Sequence, residues 1–217
     1  MKNFLKTDIN FYPDKITYIG DKFEGFNSVK SETKQELIIM HEWETEIMKK
    51  STDFVCELGG DILEIGFGMG ISADFIQKAG AKTHTIIELH PQIAEKAREW
   101  AADKQGVTIL EGDWLEVLPT LVEGTVRTTH KKFDGVFFDP YGFWSRWGEL
   151  PKMIKPHCKP TTRISHFNAS IVQGSSCGFE NNPDYSITFE KIDIDPPEND
   201  YRNKGSYYIP KVIKNAD

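Results

Sequence analysis

Two acidic residues in this sequence lie among apolar neighbours, where a carboxylate can act on a nitrogen. Asp139 follows the apolar run FDGVFF, and Glu44 lies four residues from both Met40 and Met48. A carboxylate accepts charge-assisted hydrogen bonds from N–H groups and can take up a proton. We therefore predict that Asp139 holds an N–H donor, with capping of the next helix as the alternative. Glu44 is a second candidate, although a lone glutamate in this pattern is typical of a solvated helix edge.

A glycine-rich turn follows a short apolar run at residues 64–70, which read Glu-Ile-Gly-Phe-Gly-Met-Gly. Glycines after a strand let the backbone approach a ligand closely, and the N–H groups of the following helix point to the same place. The dinucleotide fingerprint is G-x-G-x-x-G, whereas the spacing here is G-x-G-x-G with Ile71 next. This variant favours a ligand that carries an adenosine and an amino acid over one that carries a pyrophosphate.

Acidic residues also end the next two predicted strands. Glu88 comes 18 residues after Gly70, at a place where a carboxylate can accept both ribose hydroxyls. Asp113 can accept from an adenine amino group, and Trp114 can stack on the ring. Each has a plainer interpretation alone, because strand-end acids are commonly solvated and a lone tryptophan is commonly core. Together they predict an S-adenosylmethionine site formed by Glu64, Gly66, Phe67, Gly68, Met69, Gly70, Glu88, Gly112, Asp113 and Trp114.

These residues need a scaffold in which several strand ends meet, and the apolar pattern predicts one. After the strand DILEIG, helical patterns alternate with strand patterns over 83–89, 107–112, 133–139 and 162–168. Such alternation favours an α/β fold with a doubly wound, Rossmann-like, mostly parallel sheet. Two further runs, 186–195 and 205–214, predict a C-terminal antiparallel hairpin.

The N-terminal part is predicted to be a separate extension. A helix is expected from about Ser31 to Thr52, because Thr33 and Glu36 have capping-box spacing and apolar residues then recur near one face. We expect an N-terminal extension and helix over 1–52, on the acceptor side, and the cofactor-binding domain over 53–217.

The segments that carry these features resemble one family. HEWETEIM, ILEIGFGMGI, IIELH, GDWLEVLPTL and FDGVFFDPY are similar to guanidinoacetate N-methyltransferase, a class I methyltransferase, over about a hundred residues from Met40 to Asp139. The resemblance implies a doubly wound fold and S-adenosylmethionine as methyl donor. It also implies that Glu44 and Asp139 grip and deprotonate a guanidino group. The acceptor contacts are predicted to be Met40, Trp43, Tyr141 and Asn168.

The sequence departs from the family's pattern after Asp139. Pro140-Tyr141-Gly142 stands where the family has Thr-Tyr-Pro, and the aromatic residues Phe143, Trp144 and Trp147 follow. These three either close over the acceptor or pack as one face of a helix, and the sequence leaves both interpretations open.

Composition limits the class of partner. The net charge of −7 argues against a nucleic-acid partner, because phosphate contacts require a basic surface. No stretch has the length and apolarity of a membrane span, and three cysteines without CxxC spacing indicate a reduced, cytoplasmic protein. His157 and Cys158 are adjacent but have no partner ligands in the sequence pattern, so no metal site is predicted. No feature of the sequence indicates an oligomeric state.

The favoured function is S-adenosylmethionine-dependent N-methylation of a small guanidino or amino compound. A protein-arginine acceptor is an alternative, because the same carboxylates can grip an arginine side chain. Asp139-Pro140-Tyr141 also approaches the D/N-P-P-Y signature of amide and nucleobase methyltransferases, but one proline is missing. A non-catalytic, cofactor-binding protein is the third alternative.

Overall fold

The protein combines a small N-terminal sheet with a large, mostly parallel sheet that carries helices. In a computed structural model, the described residues are 4–20, 34–122, 130–142, 144–168, 177–198, 200 and 202–216. Within these ranges no helix is long and apolar enough to cross a membrane.

The N-terminal sheet has three antiparallel strands in the order β1-β2-β3, which are β1 (Ile9–Phe11), β2 (Lys15–Gly20) and β3 (Gln35–His41). The predicted helix from Ser31 to Thr52 is therefore wrong in its first half. Glu36 does not belong to a capping box, because it lies in β3 and accepts a hydrogen bond from the Thr17 hydroxyl at 2.8 Å. Ser31 and Thr33 lie outside the described residues.

Among the described residues, the large sheet has seven strands, of which the first five in the chain are parallel. They are β4 (Asp61–Ile65), β5 (Thr83–Glu88), β6 (Val107–Glu111), β7 (Phe133–Phe138), β8 (Cys158–His166), β9 (Tyr185–Ile194) and β10 (Gly205–Lys214). Their spatial order is β6-β5-β4-β7-β8-β10-β9, with β10 antiparallel to both of its neighbours. The predicted doubly wound sheet and its closing hairpin are confirmed.

In the part of the chain that the structure describes, five α-helices connect or flank these strands: α1 (Thr45–Val55), α2 (Ile71–Lys78), α3 (Pro91–Ala101), α4 (Trp114–Val117) and α5 (Leu150–Ile154). Short 3₁₀ helices cover Phe4–Lys6, Glu42–Glu44, Leu118–Thr120, Trp144–Glu149 and Lys155–His157. The helix predicted after the glycine turn and the one opened by Pro91 are confirmed.

The core lies along the central strands, whose sequences are almost continuously apolar. Leu63, Ile86, Val136 and Phe137 are fully buried, as expected for parallel strands that are covered on both faces. The chain extends from β4 to β5 and β6 on one side and then crosses to β7 on the other. Ligands of such sheets bind at the carboxyl ends of the strands where this direction switches.

Hydrogen bonds between backbone groups tie these strand ends together. The N–H of Gly66 donates to the Ile87 carbonyl, and the N–H of Asp139 donates to the Ile65 carbonyl, both at 2.8 Å. The N–H of Gly112 donates to the Glu88 carbonyl at 2.9 Å. The turns that follow four neighbouring strands are thereby held at one edge of the sheet.

Candidate active site

A cavity of about 960 Å³ opens at this edge, near the upper end of the ~300–1,000 Å³ common for ligand sites. Three parts of the chain line it: the N-terminal sheet, the turns after the central strands, and the C-terminal hairpin. The lining residues are Phe4, 35–40, Glu44, 65–68, Ser72, 87–89, Ile93, 112–114, 139–141, Phe167, Ile194, Asp200, 202–206 and Tyr208.

The glycine turn forms the floor of this cavity. Gly66 has a φ of +92°, and an added Cβ would collide with the carbonyl oxygen of Asp139. Gly68 has a φ of +54°, and its Cβ would come within 2.5 Å of the Met40 sulfur. Such backbone conformations favour glycine, and the close approach at both positions adds a second reason for it. The turn therefore brings Asp139 and Met40 against the site that was predicted for the cofactor.

Glu88 is held rigidly at the end of β5. Its side chain is buried, lines the cavity, and accepts hydrogen bonds from the backbone N–H groups of Phe67 and His90, both at 2.8 Å. Burial raises the pKa of Glu88, and these backbone N–H groups oppose that rise because they favour the charged form. The backbone N–H groups of Leu89 and Gly68 act on the carboxylate in the same direction, so the surrounding backbone favours its charged form.

The turn after β6 places Asp113 and Trp114 on the cavity wall. Asp113 caps α4 by accepting from the Leu115 N–H at 3.0 Å, and it forms a 2.8 Å ion pair with Arg146. Trp114 is buried and meets the Phe138 ring edge-on, with centroids 5.1 Å apart. Trp114 is thus a core residue with one surface on the cavity, which combines the two interpretations made from the sequence.

Three predicted cofactor residues, Glu64, Met69 and Gly70, are not among the lining residues. Glu64 is fully buried below the turn, where it accepts from the Ser72 hydroxyl and lies 2.8 Å from His84 Nε2. The Met69 N–H points to the Met40 sulfur at 3.3 Å. These three residues belong to the glycine turn but do not line the cavity. Contact with the cofactor remains a prediction for them.

The predicted carboxylate pair lies on the same cavity. Glu44 is 3% exposed, and its Oε1 accepts from the His41 N–H at 2.8 Å, so the end of β3 fixes its orientation. Asp139 lies directly after β7 and lines the cavity from that turn. Its pKa is raised well above the ordinary value, first by burial and then by the negative charges of Glu44 and Glu64. Two carboxyl groups that line one cavity and influence each other electrostatically are suited to a cationic N–H ligand.

The predicted acceptor residues divide into two groups. Met40 and Tyr141 line the cavity, whereas Trp43 and Asn168 do not. The side-chain amide of Asn168 donates to the Tyr208 carbonyl at 2.9 Å, which ties the end of β8 to the start of β10. Acceptor contact by Trp43 and Asn168 therefore stays a prediction without a geometric counterpart.

Trp147 packs in the core. It is buried, meets the Phe138 ring at 5.2 Å between centroids, and donates its indole N–H to the Gly142 carbonyl at 3.1 Å. This arrangement agrees with the packing interpretation for Trp147. Phe143 and the side chain of Trp144 lie outside the described residues, so the idea that they cover the acceptor stays a prediction.

Sequence reasoning missed two walls of the cavity. One is the part of β3 before Met40, together with Phe4, and the other is the segment before β10, which includes Arg202. The β-branched pair Ile38-Ile39 was a signal for a strand. A charged residue between two predicted strands, such as Arg202, gives no signal of this kind, because such residues are commonly solvated.

The strand order, the glycine turn after β4 and the acidic end of β5 together define the fold of the class I S-adenosylmethionine-dependent methyltransferases. Solved structures show the same fold. The O-methyltransferase TomG from Streptomyces achromogenes, solved in complex with SAM, superposes with a TM-score of 0.58 at 18% identity, over 79% of this chain and 80% of that one. The N-methyltransferase NodS from Bradyrhizobium japonicum gives a TM-score of 0.56 at 12% identity, over 81% and 97% of the two chains.

The family is shown by the sequence match. The model of the guanidinoacetate N-methyltransferase family matches residues 28–157, which is more than half of the 217 residues. The chain therefore belongs to this family of S-adenosylmethionine-dependent methyltransferases.

Curated relatives carry another name. Protein arginine N-methyltransferase 2 from Yarrowia lipolytica is 34% identical over 97% of this chain and 42% of its own length. The protein of that name from Saccharomyces cerevisiae is 28% identical over 88% of this chain and 42% of its own length. The chain thus spans less than half the length of these relatives. Their name refers to protein arginine, whereas the family model is named for guanidinoacetate.

Proposed function

We propose that this protein methylates a nitrogen of a small guanidino compound, with S-adenosylmethionine as donor. The observation that carries the proposal is a pair of carboxylates on the cavity wall, Glu44, which is buried, and Asp139, which is partly buried. A planar guanidinium offers N–H groups that match carboxylates in charge and geometry.

Both the backbone and the acidic side chains of the cavity wall are suited to the proposed cofactor. The glycine positions leave no room for a Cβ, and Glu88 is fixed by two backbone bonds before any ligand arrives. In the proposed arrangement Glu88 binds the ribose hydroxyls, Asp113 receives the adenine amino group, and the turn at Gly66 and Gly68 accommodates the amino-acid part. When bound, S-adenosylmethionine supplies a methyl group on a positively charged sulfur, already activated for displacement.

The two carboxylates would prepare the acceptor nitrogen. Glu44 is oriented by the His41 N–H and holds one edge of the guanidinium. Asp139, whose pKa is raised by burial and by Glu44, receives the proton that the nitrogen loses when its bond to carbon forms. A base is most effective when its pKa is near the working pH, so the shift at Asp139 is in the useful direction. Correct placement of the two reactants contributes about 7–11 kcal/mol in favourable cases.

A protein arginine side chain is the second candidate acceptor. It presents the same guanidinium, and the names of the fungal relatives that match 97% and 88% of this chain favour it. A peptide acceptor has to reach the carboxylates through the mouth of the cavity, so only its arginine side chain would be enclosed.

The test is a methylation assay of the purified protein with an acceptor panel. The panel contains guanidinoacetate, arginine, agmatine, small amines and arginine-containing peptides, and products are scored by mass spectrometry. We expect methylated small guanidines, and a loss of about 10²–10⁴-fold in Asp139→Asn and Glu44→Gln. Glu42→Gln is the matched control, because Glu42 is exposed in the same 3₁₀ helix and should retain activity.

Three outcomes would contradict the proposal. Methylation of peptides alone would establish the second candidate. Methylation of amines but not of guanidines would remove the role of the carboxylate pair. Binding of S-adenosylhomocysteine without any methylated product would favour the non-catalytic alternative.

A further inference from the structure

His90 is a buried histidine beside the proposed cofactor site, and the proposed mechanism does not use its side chain. It lies two residues after Glu88, and its backbone N–H donates to the Glu88 carboxylate at 2.8 Å. The residue is 1% exposed, and both ring nitrogens have hydrogen-bond partners. Nδ1 accepts from the Gln92 N–H at 3.3 Å, and Nε2 lies 3.2 Å from the carbonyl oxygen of Phe4. The imidazole therefore joins the start of α3 to the N-terminal segment.

These two contacts determine which ring nitrogen carries the proton. Nδ1 accepts a hydrogen bond only when it has no proton, so the proton of the neutral ring lies on Nε2 and is donated to the Phe4 carbonyl. Burial lowers the pKa of His90, against the opposing effects of the Phe4 carbonyl, Asp8 and Glu111. The lowered pKa favours the neutral ring, which is the form that makes both contacts.

Phe4 is the residue that this imidazole holds in place. The Phe4 side chain is buried, lines the cavity, and meets the His90 ring with centroids 5.0 Å apart. It also meets the ring of Tyr141, two residues after Asp139, at 5.4 Å between centroids. The Phe4 carbonyl closes a 3₁₀ turn, because it also accepts from the Thr7 N–H at 3.0 Å. His90 thus attaches a compact turn to the end of β5.

Gln92 ties the same segment to the same place. Its side-chain oxygen accepts from the Ile9 N–H at 2.7 Å, and its amide group donates to Asp8 at 3.3 Å. Ile9 is buried and is the first residue of β1. Residues 4–9 are therefore held at both ends by side chains that follow the carboxylate proposed for the ribose.

We propose that His90 is a positioning residue for the methyl donor, which places Phe4 as a wall of the cofactor site through the hydrogen bond from Nε2. The inference rests on the cofactor position in the proposed function, with the ribose on Glu88, and it does not depend on the acceptor. His90 itself does not line the cavity, so its effect on the cofactor passes through Phe4. An apolar ring at this place would lose contact with water when the donor binds, which favours binding.

Two amide variants separate the roles of the two ring nitrogens. Asparagine offers an acceptor near the position of Nδ1 and is a good N-cap, whereas the longer glutamine offers a donor near the position of Nε2. We expect His90→Asn to weaken binding of S-adenosylhomocysteine by about 3- to 10-fold, the scale of one neutral hydrogen bond, at an almost unchanged unfolding midpoint. His90→Gln should keep the affinity within about 2-fold but lower the midpoint, because the cap of α3 is lost. Calorimetry measures the affinities.

A double-mutant cycle tests whether the effect passes through Phe4. Phe4→Ala should weaken binding at least as much as His90→Asn, and the second change should add less than about 2-fold once the first is made, since coupled residues are not additive. Two variants serve as controls and should bind as the wild type does. Leu5→Ala changes the exposed neighbour of Phe4, and His130→Asn changes a histidine before β7 that does not line the cavity.

Unchanged affinity in His90→Asn would overturn the inference. Equal losses in His90→Asn and His90→Gln would also overturn it, because ring packing and not the Nε2 bond would then be responsible. Losses that multiply in the double variant would show that His90 does not act through Phe4. If His90→Asn does not fold, normal affinity in His90→Gln together with a loss in Phe4→Ala supports the inference, and any other result overturns it.

These affinities are measured without an acceptor. Failure of the proposed methylation would appear as an absence of product, while the pattern of affinities would still decide the role of His90.

Discussion

Asp139 is the residue whose surroundings say most about the site. Burial and the negative charges of Glu44 and Glu64 raise its pKa well above the ordinary value of 3.8. A raised pKa in the folded state means that the charged form is less stable in the fold than in the unfolded chain. The contribution is neutral below about pH 4, the unfolded value, and becomes increasingly unfavourable up to the folded pKa.

We therefore predict that Asp139→Asn stabilises the empty protein at pH 8. The gain should be about 1–2 kcal/mol in the free energy of unfolding, a common size for relief of a destabilised functional residue. It should shrink as the pH approaches 4. Urea unfolding at both pH values measures it, with the exposed Glu95→Gln on α3 as control. A variant that is less stable than the wild type at pH 8 would contradict the raised pKa.

The same ionisation predicts a pH profile for catalysis. At saturating S-adenosylmethionine, kcat/KM for a guanidino acceptor should rise with pH through a midpoint well above 3.8, because only ionised Asp139 can grip the cation and accept its proton. Steady-state rates between pH 5 and 9 measure the profile. Saturation with donor removes the separate effect of Glu88, whose pKa is also raised. A flat profile would exclude Asp139 as the base.

Individual residues show which parts of the site could be predicted from the sequence. Asp139 was found from its place after a buried run, a local pattern. Glu44 was identified through the family resemblance. The helical spacing that was read from Met40 does not exist, because Met40 lies on β3 whereas Met48 lies on α1. Arg202 was not found, because its position depends on Tyr207 and on the distant Asn168.

At the scale of elements, β3 is the part that sequence reasoning mistook. Its residues carry helical spacing, but Leu37 and Ile38 pair with Tyr18 and Thr17 of β2. Pairing with a strand more than a dozen residues away is not visible in a local window, and β-branched residues favour it. The error matters for function, since the end of β3 orients Glu44 through the His41 N–H.

The glycine turn gives a prediction that compares two glycines with positive φ. Gly66→Ala should lower the free energy of unfolding by about 2–4 kcal/mol, because strained torsions add to a clash with the Asp139 backbone. Gly59 has a φ of +63°, but a Cβ added there meets nothing within 4 Å. Gly59→Ala should therefore lower the free energy of unfolding by only about 1–2 kcal/mol. Chemical denaturation measures both. Equal losses would mean that the contact between turn and Asp139 is unimportant.

At the scale of the whole molecule, the cavity joins parts that are far apart in the chain. The N-terminal sheet, the central strand ends and the C-terminal hairpin all contribute walls. The parallel sheet was predictable because each strand–helix unit is local and the crossover rule fixes how units combine. The walls at either terminus were not, because they meet the cavity only through tertiary packing.

A cavity built this way links cofactor binding to global stability. S-adenosylhomocysteine at ~100 times its Kd should stabilise the fold by about 2.7 kcal/mol, or roughly 5–10 °C in unfolding midpoint for this size. Glu88→Gln should lose most of that shift relative to its own ligand-free protein. Glu111→Gln is the control, because Glu111 pairs with Glu88 in register but is exposed. A full shift in Glu88→Gln would remove Glu88 from the cofactor site.

The raised pKa of Asp139 has an evolutionary consequence. An aspartate codon becomes an asparagine codon by one base change, and that change is expected to strengthen the fold while it silences methyl transfer. The cofactor-binding turns at Gly66 and Glu88 would remain intact. Under the proposed mechanism, selection for stability alone would therefore drive such a gene toward a protein that binds the methyl donor without transferring it, whereas selection for methyl transfer would keep the aspartate.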